Sequence, residues 1–155
     1  MKKLLLLLVV AFTVNATVAQ TEVGAVTLPN SVNFGGEELI LNGAGIRKKA
    51  FVLKLYSGGL YLKQKSSNAA RIINADENMA IKLHITSSFV SSDAMSEAVR
   101  EGFDASMNGN TASLSSHIDK FITFFSDEIV EDNVFDITYQ SGKGVVAYKD
   151  GKELR

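Results

Sequence analysis

The apolar positions of this chain change period several times, and the changes mark its elements. From Met79 to Ile85 the sequence MAIKLHI alternates, with Met79, Ile81, Leu83 and Ile85 in one phase, which predicts a half-buried strand. After Ser92 the period becomes helical. Met95, Val99, Gly102 or Phe103, and Met107 fall on one face, and Asp93 sits in the first turn, where the helix dipole favours an acid. Asn108-Gly109-Asn110 ends that helix, and Leu114, Ile118, Phe121, Ile122 and Phe125 form the apolar stripe of a second. Upstream, Ala25 to Leu28 and Leu39 to Leu41 predict two short strands of an opening hairpin, separated by Pro29, Asn30 and Gly35-Gly36. Asn42-Gly43 predicts a chain reversal, followed by one long strand from Ala50 to Leu62. Gly58-Gly59 inside that strand marks a bulge or a close approach to the backbone. Ser66-Ser67-Asn68 before AARIIN predicts a short capped helix, and Val134 to Tyr139 with Gly144 to Tyr148 a closing hairpin turned at Ser141-Gly142-Lys143. Strands at both ends with helices between them imply an α+β fold, a largely antiparallel sheet with helices layered on one face.

The first residues follow a different pattern. Lys2 and Lys3 precede an apolar run from Leu4 to Phe12, then small and polar residues up to Ala19, the layout of a secretory signal peptide. The run is shorter than the roughly 20 residues a membrane span needs. We expect residues 1–19 to be a leader, residues 20–155 to form one domain, and the protein to be periplasmic or secreted without a membrane span. No cysteine follows the apolar run, which excludes a lipid anchor there, and the chain has no cysteine at all, so its core must hold it without disulfides. Losing the two leader lysines leaves a net charge of roughly −3 at neutral pH, and such a surface is expected to attract neither nucleic acid nor anionic lipid, because phosphate binding needs clustered Lys and Arg.

Few residues carry obvious chemistry. Gly43-Ala44-Gly45 is followed by strand formers, whereas a phosphate loop needs a helix to begin there. His84 and His117 have no second histidine or cysteine at ligand spacing, so neither a metal nor any cofactor is expected. No serine stands in a GxSxG elbow. The acidic stretch SDEIVED reads as a solvated loop. Arg47 remains, between a glycine pair and a long apolar run. It is in phase with Phe51 and out of phase with Tyr56, so Arg47 and Tyr56 converge only if a turn or bulge near Lys48-Lys49 breaks the register. Otherwise Arg47, Lys48 and Lys49 form a basic edge that discourages aggregation.

LNGAGIR followed by KLYSGGLYLK resembles the chalcone isomerase-like family, which carries a Gly-Ala-Gly-x-Arg turn and then a strand ending in a Gly-x-x-Tyr-Leu-like segment. The resemblance implies an open-faced β-sandwich with a cleft between sheet and helices. It implies one of two activities: isomerases of the family use the arginine to polarise a carbonyl, and non-enzymatic plant relatives use the arginine and a tyrosine to hold a fatty-acid carboxylate. Arg47 matches the arginine and Tyr56 stands where the isomerase has a threonine, which favours a binder of a fatty acid or similar amphiphile. The isomerase's second key tyrosine is matched only by Phe89, and the C-terminal helical segment of relatives is expected to be missing. Phe51, Leu60 and Phe103 are the expected tail contacts, and Arg47 is expected to be desolvated and paired by the ligand. An intramolecular lyase of the isomerase type and an envelope interaction protein are the alternatives.

Overall fold

The computed structural model describes residues 19–154, so the expected leader lies, but for Ala19, outside the described residues. The strands β1 (Gln20–Val23) and β2 (Val26–Pro29) form a small antiparallel hairpin. Seven more make one antiparallel sheet in chain order: β3 (Ser31–Phe34), β4 (Glu37–Lys49), β5 (Leu53–Leu62), β6 (Met79–Ile85), β7 (Val134–Gln140), β8 (Gly144–Lys149) and β9 (Lys152–Glu153). Helix α1 (Ala69–Asn74) joins β5 to β6, with Asn68 Oδ1 accepting from the Arg71 amide at 3.0 Å as the cap. Helices α2 (Ser92–Ser106) and α3 (Ser115–Ile122), the latter flanked by 3-10 turns, fill the connection from β6 to β7. The expected α+β architecture, a curled antiparallel sheet with helices packed on one side, is what the chain adopts.

The sheet is rolled. Phe34 on β3 and Tyr148 on β8 have ring centroids 5.5 Å apart. In a flat sheet the five intervening steps of about 4.8 Å would separate them by about 24 Å. The concave face buries Leu39, Leu41, Tyr61 and Ala80, and the hairpin of β1 and β2 closes over it with Val23 and Leu28. Ser57 Oγ donates to the Val23 carbonyl at 2.8 Å, and the Tyr61 hydroxyl donates to the Pro29 carbonyl at 2.9 Å. Gly59 makes this closure possible: a Cβ there would lie 2.9 Å from Leu41 Cδ1 and 3.0 Å from Leu28 Cδ1. Deeper in the curl, Lys82 and Asp136 are cross-strand partners whose Nζ and Oδ1 lie 2.6 Å apart. The convex face buries Ile85 and Phe135 against Val90, Met95, Phe125 and Ile129, the helical side of the molecule.

Several local expectations are corrected. Asn42-Gly43 does not reverse the chain, because the strand runs through it as a β-bulge, with Asn42 Oδ1 accepting from the Ser66 amide at 2.8 Å. The reversal comes later, at Ala50-Phe51-Val52, so the strand expected from Ala50 begins only at Leu53. Ala25 to Leu28 coincides with β2, but its partner is β1, whereas Leu39 to Leu41 pairs with β3 across the Gly35-Gly36 turn. Register through Gly58-Gly59 is regular, so the glycine pair marks a close approach and no bulge. The end of the chain adds β9, turned at Asp150-Gly151, both with positive φ.

Burial and the charge of Asp136 push the Tyr61 phenol up to about 12. A phenol harder to ionise in the folded than in the unfolded chain contributes stability that is complete below about pH 10 and is lost as pH rises towards 12. Thermal unfolding followed from pH 8 to pH 12 should therefore show a destabilisation on the order of 2 kcal/mol beyond what Tyr61→Phe shows. At neutral pH that variant should lose about 1 kcal/mol for the hydrogen bond to Pro29.

Candidate functional site

The register between β4 and β5 builds the site. Arg47 lies directly opposite Tyr56, Gly45 opposite Gly58 and Gly43 opposite Leu60, so these residues share the convex face. Across the next step the register shifts: Lys48 pairs with Lys54, leaving Leu55 as the extra residue of a bulge. The bulge turns both Leu55 and Tyr56 towards the helical side, where both pack against the Ile85 and Phe135 cluster. The condition under which Arg47 and Tyr56 can converge is thus met by a turn at Ala50-Phe51-Val52 and a bulge beside it.

Between this corner of the sheet and α2 lies a cleft of ≈ 470 Å³, within the size range of small-molecule sites. The sheet side presents Arg47, Lys49, Leu53, Leu55 and Tyr56. Opposite stand Ala94, Glu97, Ala98 and Glu101, a helical stripe of α2, with Met95 beneath and Phe89 at the edge. The two alanines explain the space: a methyl group cannot reach across to the sheet where a leucine would. The charged lining is balanced, two cations on the strand against two carboxylates on the helix. Among the described residues the ion pairs are Lys63 with Glu37, Lys82 with Asp136, His84 with Asp132 and Arg100 with Asp119, so Arg47 has no carboxylate partner within 4.0 Å.

Arg47 is exposed, not desolvated as expected, because the cleft is open at the hairpin end. Its charge is hydrated, and its attraction for an anion is weakened by salt. Tyr56 is half-buried. Phe89 does stand at the cleft, 69% exposed, with its amide donating to Ser87 Oγ at 3.3 Å. The three expected tail contacts are dispersed. Phe51 is at the hairpin tip, 94% exposed, because the chain reverses where a continuous strand is expected. Phe103 is outside the cleft, edge-on to Phe121 at 5.8 Å between α2 and α3. Leu60 shares the face of Tyr56, beyond Gly58, and is not part of the lining. Sequence reasoning missed Lys49, Glu97 and Glu101. The i, i+3, i+4, i+7 stripe of Ala94, Glu97, Ala98 and Glu101 was legible in the sequence, but nothing in it says which side of the helix meets a cavity.

Comparison with known proteins bears on the family and the fold. A family model described as chalcone isomerase-like matches residues 20–155. No curated protein matches the chain in sequence. Among solved structures, a fatty-acid binding protein of Arabidopsis thaliana superposes with a TM-score of 0.62 at 20% identity, covering 83% of this chain and 75% of that one, a likeness of fold.

The cleft exists because of small residues on α2, and Ala98→Leu should fill it. We expect the variant to keep or slightly raise the melting temperature, since added apolar volume enters empty space at a helix-compatible site. Uptake of a small apolar fluorescent dye into the cleft should fall at least tenfold, which a titration followed by dye emission would measure.

Proposed function

We propose that this chain, which belongs to the chalcone isomerase-like family, binds a fatty acid or similar carboxylate amphiphile in the cleft between α2 and the β4–β5 hairpin. One observation carries the reading: Arg47 and Tyr56 are cross-strand partners on one face and line the same cleft. A guanidinium can donate two parallel hydrogen bonds to a carboxylate, and a phenol hydroxyl beside it can donate a third. Lys49 adds a second cation on the same wall. Leu53, Leu55 and Met95 offer apolar surface to the adjoining methylenes.

The fold-level likeness to a fatty-acid binding protein supports the same reading. The alternative is ring closure of the isomerase type, which would use Arg47 as the donor to a developing oxyanion. Phe89 at the cleft edge weighs against it, since a phenyl ring cannot position a catalytic water. The pattern of residues 1–19 supports export, and mass spectrometry of the protein from its host should find an N-terminus near Gln20.

Native mass spectrometry of the host-expressed protein should show a bound acid. With a saturated fatty acid added back to delipidated protein, Arg47→Ala should weaken binding about tenfold or more and Tyr56→Phe a few-fold, since the guanidinium carries both the charge and two hydrogen bonds and the phenol a single hydrogen bond to the carboxylate. Binding should also weaken on going from low to high salt, because Arg47 is hydrated. Undiminished binding by Arg47→Ala would refute the assignment. A chalcone assay should give racemic product at the uncatalysed rate.

A further inference from the structure

The β4–β5 hairpin ends beside the cleft in a tip that the fold itself does not use. Phe51 is 94% exposed and Val52 82% exposed. Phe89, 69% exposed, stands at the neighbouring cleft edge. The eight residues from Arg47 to Lys54 carry four cations, Arg47, Lys48, Lys49 and Lys54, and no acid, in a chain whose acidic residues otherwise outnumber its basic ones. None of the four is ion-paired among the described residues. The backbone adds an independent observation. Ala50 and Phe51 have φ of 49° and 65°, the left-handed region that suits Gly or Asn and that a bulky side chain rarely occupies. An aromatic residue is thus held where turn chemistry disfavours it and where burial gives it nothing, so its benefit has to come from a contact outside the chain.

We propose that this tip docks the protein on an anionic lipid surface. Phe51 and Val52 enter the interface between headgroups and acyl chains, and Lys48, Lys49 and Lys54 lie against the phosphates. Aromatic and apolar side chains backed by basic residues are the composition of interfacial anchors. Cations near an anionic surface each add to the attraction, which decays within a Debye length. The excess of acid elsewhere disfavours other faces and orients the molecule tip-down. Because Lys49 and Leu53 both flank the tip and line the cleft, docking brings the cleft mouth to the surface, where an amphiphile can move between bilayer and protein with little exposure to water. The docking stands independently of which amphiphile the cleft takes.

The chain has no tryptophan, so Phe51→Trp supplies a single reporter at the tip. With phosphatidylcholine vesicles containing about a third phosphatidylglycerol, its emission should shift to the blue and be quenched by brominated lipids. It should do neither with pure phosphatidylcholine, and both effects should fade at high salt. In co-sedimentation, Phe51→Asn combined with Val52→Ser should lower partitioning about tenfold or more. That variant should keep or raise the melting temperature, since Asn accepts a left-handed φ. Lys48→Ser and Lys54→Ser should each lower partitioning about fivefold. The proposal is overturned by water-like Trp emission with anionic vesicles, by unchanged partitioning of the Phe51→Asn, Val52→Ser variant, or by tip-dependent self-association in place of vesicle binding.

Discussion

The pairing of β4 with β5 is the constraint on which the rest of the molecule depends. Leu39, Leu41, Gly43, Gly45 and Arg47 share one parity in the sequence, yet Leu39 and Leu41 face the concave core and Arg47 the convex cleft. The bulge at Asn42 performs that exchange, because one extra residue in a strand flips every side chain beyond it. A second bulge at Leu55 then keeps two consecutive apolar side chains on the cleft side. The first half of β4 therefore serves the concave core and its second half the cleft on the opposite face of the sheet.

The two faces are treated differently. The concave side is closed by the roll of the sheet and by the β1–β2 hairpin, with Gly59 allowing Leu28 and Leu41 to reach the backbone. Tyr61 donates there to the Pro29 carbonyl and Thr138 to the Val146 carbonyl, and Lys82 stands 2.6 Å from Asp136 as its counter-charge. Removing either member of that ion pair would leave a charge buried alone, a cost of several kcal/mol. The convex side is covered by Met95 of α2 with Val90, Phe125 and Ile129, and the short side chains of Ala94 and Ala98 leave space between α2 and the strand hairpin. A cavity forms on the side where packing is incomplete, beside Arg47.

That placement shapes the chemistry. Arg47 at the open end of the cleft is hydrated, so in the proposed binding it would take up a carboxylate without the desolvation penalty a buried arginine would impose. Glu97 and Glu101 across the cleft would temper that attraction. The exposed, basic, apolar hairpin tip lies next to the same opening. The proposed binding cleft and the proposed membrane contact thus share one short segment.

Much of the fold was legible in the sequence. Alternation from Met79 to Ile85, helical spacing from Met95 to Met107 and the closing hairpin are local patterns, although the strands bury both faces, Ala80 and Thr138 on the concave side and Ile85 and Phe135 on the helical side, and the resemblance centred on residues 41–62 is shown at the level of the family. The α+β class followed from the order of those elements. What the sequence could not decide was register. Asn42-Gly43 is a strong local turn signal, overridden by strand pairing on both sides and by the hydrogen bond from Ser66 to Asn42. The reversal at Ala50-Phe51-Val52 has no turn residues to announce it. Once the turn is misplaced, Phe51 reads as a wall of the cleft and the convergence of Arg47 with Tyr56 stays open. The helix face that lines the cleft was equally hidden, because Glu97 and Glu101 look like any solvated pair until the sheet stands opposite them. Period is a property of neighbours along the chain, whereas register and cavities come from segments that meet only in three dimensions.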